Sequence, residues 1–221
     1  MIRLFDIALS GLALLVLAPL LIPVVVILRF TGEGEVFFRQ QRVGKGGEAF
    51  WLLKFATMLK DSPNLATGTV TVKDDPRVLP FGKFLRATKV NELPQLINIL
   101  KGDMSIIGPR PQTRRCFDAF PEESQREIIK VRPGLSGIGS VAFRAEDEMM
   151  HDADDADRLY DEVIMPWKGR LEEWYVANAG LWNYFKLIFV TAWVVVFPGS
   201  RVFWRAFPDL PEPPEELAGY V

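Results

Sequence analysis

IALSGLALLVLAPLLIPVVVIL, residues Ile7–Leu28, is an apolar run of 22 residues without a charge, and it constrains the whole fold. About 20 apolar residues in a helix are enough to cross the hydrocarbon core of a bilayer. A signal peptide fits the run poorly, because its apolar core is usually shorter and no A-x-A-like cleavage pattern follows. A buried helix of a soluble protein is a weaker alternative. The run therefore predicts a chain that is attached to a membrane.

Two prolines, Pro19 and Pro23, lie inside this run. Each removes a backbone donor and clashes with the preceding turn, at a cost of about 3 kcal/mol or a kink. In hydrocarbon the freed carbonyls find no water, so a bend needs polar partners or a shallow position. Basic residues lie on both sides of the run, which gives both flanks cytoplasmic character; they are Arg3, Arg29, Arg39, Arg42 and Lys45. A re-entrant helix-break-helix hairpin and a single span kinked at proline are both open on these grounds.

A second apolar stretch, Leu181–Phe197, is interrupted by Lys186 and is too short to span a bilayer. Tryptophan and arginine, which settle at the headgroup boundary, accompany it. They are Trp182, Trp193, Arg201, Trp204 and Arg205. The stretch predicts an interfacial amphipathic helix, with an ordinary core helix as the alternative.

The rest of the composition suits one globular domain, since 221 residues are too few for two large ones. A net charge of −2 argues against a general nucleic-acid binder, so no nucleic-acid partner is expected. One cysteine excludes an internal disulfide and one histidine excludes a His-rich metal site. Both fit a reducing, cytosol-facing location.

Helical signals dominate the globular part. Strand-forming residues flank the glycines of Gly44–Gly47, which predicts a small β-hairpin. Apolar positions recur at helical spacing over Phe81–Leu100 and break near Lys89. This pattern predicts two helices, with Pro94 in the first turn of the second helix and Asn91 near its cap.

Four later segments complete the expected fold. Pro121–Val131 has the pattern of an amphipathic helix, and Arg132–Arg144 that of a glycine-rich loop running into a strand. His151–Asp157 lacks the spacing and glycine of an EF-hand and is interpreted as a solvated helix face. Pro208–Glu216 is rich in proline and acids, which predicts a disordered tail.

Basic charge is concentrated in the middle of the chain. From Arg77 to Arg115, eight Lys or Arg accompany only two acids, Glu92 and Asp103. Arginines around one carboxylate suit phosphoryl transfer from a nucleotide, with a divalent ion bridging phosphate oxygens and carboxylate. We therefore predict Glu92 as the essential carboxylate. The predicted phosphate contacts are Lys54, Arg86, Arg110, Arg114 and Arg144. A helix-capping Asn-Glu pair among surface arginines is the alternative.

Several motifs follow the proline-broken segment in a fixed order: FFRQQRVG, KFATM, DPRVLPFGKFLRAT, NELPQLINILKGDMSIIGPRP and RPGLSGIG. This series resembles the bacterial sugar transferases that act on polyprenyl phosphate, the monotopic phosphoglycosyl transferases, in their small form without a preceding multi-span region. The resemblance extends from about Arg3 to Val195. It implies transfer of a sugar-1-phosphate from a UDP-sugar to polyprenyl (undecaprenyl) phosphate, release of UMP, and a requirement for Mg²⁺.

The same resemblance implies a fold and a location. The fold would be α/β and mainly helical: a re-entrant membrane hairpin at residues 1–30 that breaks near Pro19 and Pro23, a catalytic domain with interfacial helices at 31–200, and a tail at 201–221. It would lie on the cytoplasmic face of the bacterial inner membrane. The expected partners are a UDP-sugar, with an N-acetylhexosamine as the expected sugar, polyprenyl phosphate, membrane lipid and downstream glycosyltransferases. The product would enter exopolysaccharide, O-antigen or glycoconjugate synthesis.

Two residues depart from the family's pattern. Ala56 stands where the motif KFRTM has an arginine, and Asn91 stands where the Asp-Glu dyad has the aspartate understood to attack the β-phosphorus. A neutral carboxamide is a poor nucleophile, so the covalent step does not carry over. Three explanations are open. Glu92 acts alone, as nucleophile or as a Mg²⁺ ligand, while Asn91 orients a phosphate; polyprenyl phosphate attacks directly; or the chain is inactive, as a membrane-anchored adaptor would be. Asn91 is also predicted as a second Mg²⁺ ligand beside Glu92.

Overall fold

The computed structural model describes residues 1–62, 75–144, 149–150, 155 and 158–220. They form two compact units that interleave along the chain. Unit 1 comprises Met1–Asp6, Arg42–Phe50 and Gly102–Val221, and unit 2 comprises Ile7–Gln41 and Trp51–Lys101. The predicted fold class, mainly helical with a small β-hairpin and a long apolar helix at the amino terminus, is confirmed. The division into residues 1–30, 31–200 and 201–221 stays a prediction.

The apolar run lies in one continuous helix, α1, which extends over Ile2–Phe30 and contains both Pro19 and Pro23. The expected break into two helices is therefore absent from α1. Proline fixes φ near the helical value, so each one removes a hydrogen bond without ending the helix. Such prolines are tolerated in membrane helices, where re-entry can come from a bend rather than a break. Re-entry itself stays a prediction.

Most of α1 does not pack against protein. Among the described residues it is the one helix long and apolar enough to cross a membrane, with a mean hydropathy of 2.9 over its most apolar window. Leu15 and Val16 in its middle are 74% and 66% exposed. Near its end, Val24 and Leu28 are buried against Phe55 and Leu85 in unit 2. The exposed middle is what a bilayer would cover.

Unit 2 contains most of a β-hairpin and two helices. Strands β1 (Phe37–Val43) and β2 (Ala49–Phe55) pair as the predicted hairpin, around a turn in which Gly46 and Gly47 have positive φ. Helices α2 (Pro80–Ala87) and α3 (Gln95–Lys101) follow as predicted. Pro94 directly precedes α3 and accepts a hydrogen bond from the N–H of Ile97, so it belongs to the first turn.

Unit 1 contains a parallel pair of strands that the sequence did not predict. β3 (Ser105–Ile107) pairs with β4 (Gly134–Ser136), with Ser105 opposite Gly134 and Ile107 opposite Ser136. The glycines allow close contact: a Cβ on Gly137 would lie 2.1 Å from the carbonyl oxygen of Gly108. The prediction that the glycine-rich loop after Arg132 runs into a strand is wrong, because the chain forms a short helix there, α6 (Ile138–Ala142).

The remaining helices of unit 1 surround this pair. They are α4 (Arg114–Asp118), α5 (Glu122–Ile128), α7 (Met165–Ala177), α8 (Leu181–Val196) and α9 (Val202–Ala206), and a π-helix at Leu159–Ile164 leads into α7. Helix α7 is the most buried of these, with Trp167, Leu171 and even Lys168 and Glu172 at 2% exposure or less. It forms the centre of the unit.

The first turn of α1 is attached to unit 1 by a buried acid. Asp6 is 1% exposed. Its Oδ1 accepts hydrogen bonds from Ser105 Oγ at 2.9 Å, the N–H of Ile106 at 3.0 Å and the hydroxyl of Tyr184 at 2.9 Å. Three donors on one oxygen offset the cost of burying this polar group.

The carboxyl-terminal tail is ordered, so the expectation of disorder over Pro208–Glu216 is wrong. The indole N–H of Trp167 donates to the carbonyl of Pro211 at 3.2 Å, and Leu210 and Leu217 are 8% and 0% exposed. Prolines fix φ and lower the entropy that the tail loses on folding, which lets two leucines hold it. The acidic segment at 151–157 lies mostly outside the described residues.

Candidate active site

The predicted carboxylate, Glu92, forms an ion pair with Lys54. Its Oε1 lies 3.0 Å from Lys54 Nζ, and the two side chains are 17% and 20% exposed. Lys54 comes from β2 and Glu92 from a 3-10 turn, Val90–Glu92, between α2 and α3. The structure therefore brings together one predicted phosphate contact and the predicted essential acid, both within reach of solvent.

A strained residue begins this turn. After α2 ends, Lys89 adopts a left-handed conformation with φ of 58°. It is the one non-glycine residue with positive φ in the part of the chain that the structure describes. This conformation costs an L-residue about 1–2 kcal/mol. Such strain clusters at functional sites, where the surrounding contacts impose it.

Asn91 is buried in this turn with an unsatisfied oxygen. The residue is 7% exposed, and its Oδ1 has no hydrogen-bond donor among the described residues. The expected cap is therefore wrong, because a capping asparagine would accept a backbone N–H through this oxygen. A buried carbonyl without a donor is costly, and such atoms in native proteins often face a ligand.

Asn98, which the sequence analysis missed, aligns the two elements that carry the ion pair. From α3 its Oδ1 accepts the N–H of Leu53 at 3.0 Å and its Nδ2 donates to the carbonyl of Trp51 at 2.8 Å. Both partners lie on β2, next to Lys54. A polar residue on the apolar face of a short predicted helix was the signal available in the sequence.

Arg86 is placed on α2, in the same unit as the ion pair. Its Nη1 lies 3.8 Å from the sulfur of Met58. Ala56, at the position where the resembled motif has an arginine, is a buried methyl directly after β2, at 7% exposure. Position 56 therefore supplies no base, and the predicted phosphate contacts in unit 2 are Lys54 and Arg86.

The other predicted arginines lie in unit 1. Arg110 lines a small pocket together with Val43, Gln112 and Phe117. Arg114 is exposed and paired with Asp118 at 2.8 Å, and Arg144 is exposed after α6. Of these, the structure places Arg110 in the most constrained surroundings. Their contact with phosphate stays a prediction.

Further basic residues of unit 1 have structural contacts. Arg132 Nε donates to the carbonyl of Gly102 at 2.8 Å and so fixes the turn of the KGDM motif. Arg42 Nη1 donates to the carbonyl of Pro111 at 3.2 Å. In unit 2, Arg77 is buried against Asp75, with Nη2 to Oδ2 at 2.6 Å. The basic stretch of the sequence is therefore partly structural.

Mg²⁺ has few candidate ligands from the protein. The described residues contain no group of three or more His, Cys, Asp or Glu that could hold a metal ion. The carboxylate of Glu92 and the donorless Oδ1 of Asn91 are both hard oxygen ligands of the kind Mg²⁺ takes. Mg²⁺ usually binds one or two protein groups together with substrate phosphates and water, so this pair fits that pattern.

A buried acid outside this turn also escaped the sequence analysis. Burial raises the pKa of Glu172 to about 7, against the opposing effects of Lys168 and of the backbone N–H groups of Arg110 and Gly139. Lys168 Nζ lies 4.8 Å from the centre of the Phe143 ring. The i, i+4 spacing of Lys168 and Glu172 on a mostly apolar helix was the available signal.

The chain matches a family model, bacterial sugar transferase, over residues 1–198. The undecaprenyl-phosphate galactose phosphotransferase of Salmonella typhimurium is 33% identical over 208 residues, which are 88% of this chain and 40% of that protein. The UDP-N-acetylgalactosamine-undecaprenyl-phosphate N-acetylgalactosaminephosphotransferase of Aeromonas hydrophila is 35% identical over 189 residues, 84% of this chain and 41% of that protein.

A third relative, the exopolysaccharide production protein PSS of Rhizobium leguminosarum bv. phaseoli, is 40% identical over 146 residues, 63% of this chain and 72% of that protein. The chain spans about two fifths of the length of the first two relatives. The family match includes the apolar helix, the Lys54–Glu92 pair and Arg110. The chain belongs to the bacterial sugar transferase family.

Proposed function

We propose that this protein transfers a sugar-1-phosphate from a UDP-sugar to undecaprenyl phosphate at the inner face of the bacterial cytoplasmic membrane, with UMP as the second product. The observation that carries the proposal is the Lys54–Glu92 ion pair beside the donorless oxygen of Asn91. The names of two relatives, which state undecaprenyl-phosphate sugar phosphotransferase activity, support the reaction type.

Direct displacement fits these residues best. An oxygen of undecaprenyl phosphate attacks the phosphorus that carries the sugar, a new P–O bond forms, and the bond to the oxygen shared with the uridylate phosphorus breaks. That oxygen leaves with UMP. The lipid phosphate is already an anion, so no protein base is needed for the attack, and the amide of Asn91 cannot serve as a nucleophile.

In this mechanism the protein positions the phosphates and neutralises their charge. Lys54 can turn from Glu92 to a phosphate oxygen as the substrate enters, since an ammonium on a flexible stem has several donors. Glu92 and Asn91 would hold Mg²⁺, which when bound neutralises charge on the diphosphate. Arg86 and Arg110 are the further phosphate contacts that we propose.

The apolar surfaces support a membrane-bound site. Both ends of α1 contact folded parts of the chain: Asp6 is bonded within unit 1, and Val24 and Leu28 pack within unit 2. Basic residues also flank α1 on both sides, at Arg3 and Arg29, and basic flanks favour the cytoplasmic side of a membrane. We therefore propose that α1 re-enters the leaflet from which it came, which leaves the lipid phosphate at the depth of the headgroups.

The test is UMP release from a panel of UDP-sugars by purified protein in nanodiscs with undecaprenyl phosphate. UDP-N-acetylgalactosamine tests the proposed N-acetylhexosamine, and UDP-galactose and UDP-glucose test the two hexoses; the names of relatives include all three sugars. Release that requires both the lipid phosphate and one UDP-sugar supports the function. Glu92→Gln should lower the rate by at least about a hundredfold, as expected for loss of charge at a reaction centre. Glu48→Gln, an exposed glutamate of the hairpin turn, is the matched control.

Isotope exchange separates direct displacement from a covalent intermediate on Glu92. Protein is incubated with UDP-sugar and labelled UMP without lipid phosphate. Direct displacement predicts that no label enters the UDP-sugar, while a phosphosugar intermediate predicts exchange. The second candidate, a membrane-anchored adaptor that binds a UDP-sugar without turnover, is favoured by Asn91 in place of the dyad's aspartate. It predicts binding without UMP release for every sugar in the panel.

A further inference from the structure

The segment Ile107–Gln112, which presents Arg110 between two prolines, is hydrogen-bonded along its backbone within unit 1. Its partners come from β4, α7, β1 and their flanks. The bonds join Ile107 O to Tyr175 Oη at 3.1 Å, Gly108 N to Ser136 O at 2.9 Å, Pro109 O to Gly134 N at 2.8 Å, Pro111 O to Arg42 Nη1 at 3.2 Å, and Gln112 O to Val43 N at 2.9 Å. These bonds fix the backbone at Arg110 and so the direction of its Cα–Cβ bond.

A further donor of this segment, the N–H of Arg110, is bonded to the carboxyl group of Glu172. The same carboxyl group accepts the N–H of Gly139. A side chain at position 139 would interfere, because a Cβ there would lie 2.3 Å from Glu172 Oε1. Tyr175 lies nearly one turn further along α7, so one face of this helix holds the segment at both Ile107 and Arg110.

A carboxylate is a costly choice for this place. Glu172 is 1% exposed, and burial opposes its charged form. Glutamine would fit the same space and offer a neutral acceptor without that cost. A charged acceptor makes shorter hydrogen bonds of about twice the strength, so it fixes the N–H of Arg110 more firmly. The structure thus places an ionisable group, charged only above about pH 7, where stability alone would favour a neutral one.

We propose that Glu172 is a positioning residue for sugar-phosphate transfer, acting through the backbone N–H of Arg110 to aim the Arg110 guanidinium at a substrate phosphate. The inference rests on the proposed function. Its test is a double-mutant cycle in the UMP-release assay at pH 8. Glu172→Gln should lower kcat/KM about tenfold, the scale of one weakened charge-assisted hydrogen bond. In an Arg110→Ala background it should cause no further loss.

Glu173→Gln is the matched control, because this neighbour on α7 bonds to Ser124 instead of the Arg110 segment. It should leave kcat/KM unchanged. Tyr175→Phe is the second variant, in case Glu172→Gln does not fold, and it too should lose its effect in the Arg110→Ala background. Equal losses in both backgrounds would show a general structural role and overturn the inference.

A second measurement does not depend on activity. Because residues 109 and 111 are prolines, Arg110 has the one exchangeable amide between Gly108 and Gln112. Hydrogen exchange at this amide should be faster in Glu172→Gln than in Glu173→Gln. Unchanged exchange would overturn the inference even if transfer were confirmed. If the wild-type protein is inactive but hydrogen exchange at the Arg110 amide is still faster in Glu172→Gln, the proposed function is wrong while the contact between Glu172 and Arg110 stands.

Discussion

At the scale of single residues, the difference between Asn91 and an aspartate separates two ways of moving a phosphosugar. Asn91 presents a buried carbonyl oxygen without a donor, next to Glu92 on the same short turn. The backbone strain at Lys89 shows that the turn is held in place by its surroundings rather than by local preference. Asn91 and Glu92 therefore stand at the two positions of the dyad that the sequence resembles, with one member uncharged.

Restoring a carboxylate at this position should change the kinetic mechanism. Asn91→Asp adds a nucleophile of nearly equal shape, so we expect label from UMP to enter the UDP-sugar in the absence of lipid phosphate. Asn91→Ser, which removes the amide without adding a charge, is the control and should show no exchange. Absence of exchange in Asn91→Asp, with normal overall turnover, would contradict the assignment of this turn as the reaction centre.

Glu172 should make the stability of the protein depend on pH. Its pKa rises from 4.5 to about 7 on folding, so the native state binds the proton more tightly than the unfolded state. The free energy of unfolding should therefore fall by up to about 3 kcal/mol from this group as pH rises from about 4.5 to 7. Above pH 7 the contribution of this group should be constant. Glu172→Gln should remove this slope and unfold at a higher temperature than wild type at pH 8.

The measurement is thermal unfolding of both proteins in nanodiscs at pH 5 and pH 8. The unfolding temperature of Glu172→Gln should exceed that of wild type at pH 8 but not at pH 5. Together with the loss of activity that we propose, this would make Glu172 a residue that favours function over stability. A parallel pH dependence in the two proteins would contradict the raised pKa.

At the scale of elements, α8 carries an apolar surface that no described part of the chain covers. Trp182 and Phe189 are 78% and 79% exposed, and Val195 and Trp193 are 73% and 49% exposed. Its opposite side is buried through Tyr184, Leu187 and Val190. The helix is thus apolar on two sides, one packed on the protein and one exposed, as is predicted for an interfacial helix.

Lipid contact of α8 can be measured by fluorescence. In nanodiscs made with brominated lipids, we expect quenching of tryptophan emission. Trp182→Phe should reduce the quenched fraction, because Trp182 is more exposed than Trp193, the other tryptophan of α8. Trp167→Phe is the control, since Trp167 is 0% exposed and bonded to Pro211. Equal quenching in wild type and Trp182→Phe would contradict the interfacial position of α8.

The carboxyl-terminal tail is an element that should contribute to stability. Leu217 lies in a 3-10 turn, Glu215–Leu217, and is 0% exposed. Leu217→Ala should lower the free energy of unfolding by about 2–4 kcal/mol, as for other leucines truncated in a core. Glu216→Ala, at the exposed neighbour, should change it by less than about 0.5 kcal/mol. A disordered tail would give two equal, small effects in chemical denaturation.

At the scale of the whole molecule, the side of the membrane on which the amino terminus lies distinguishes re-entry from a span. A cysteine at position 2, in a Cys116→Ser background, should react with a membrane-impermeant maleimide only after cells are permeabilised. A cysteine at Glu48, in the hairpin turn, reports the cytoplasmic side in the same way. Labelling at position 2 in intact spheroplasts would contradict re-entry.

Much of this molecule could be predicted from its sequence, and the failures share a physical cause. Local patterns were sufficient for the hairpin at Gly44–Gly47, the α2–α3 pair and the long apolar helix. The parallel pairing of β3 with β4 was missed because each strand has three residues and its partner lies far along the chain. The order of the tail depends on Leu217 entering a core, which composition does not show.

The candidate site was predicted only in part, because a sequence does not show which distant elements come into contact. Glu92 and Lys54 were named from their chemistry, and the fold brings them to 3.0 Å. Asn98, Glu172 and Asp6 were not, because their importance comes from hydrogen bonds to backbone groups of other elements. Arg77 shows the converse: a base counted in the basic stretch is buried with Asp75 and serves the fold.

The buried carboxylate of Asp6 also has a consequence for biosynthesis. Two of its donors, Ser105 and Tyr184, are 99 and 178 residues further along the chain. At a synthesis rate of about 5–20 residues per second, Tyr184 leaves the ribosome roughly 10–35 s after Asp6. During that interval the apolar helix has emerged while Asp6 still lacks the hydroxyl of Tyr184 as a hydrogen-bond donor. Nascent chains stalled before residue 184 should therefore be held at the membrane less firmly than the finished protein.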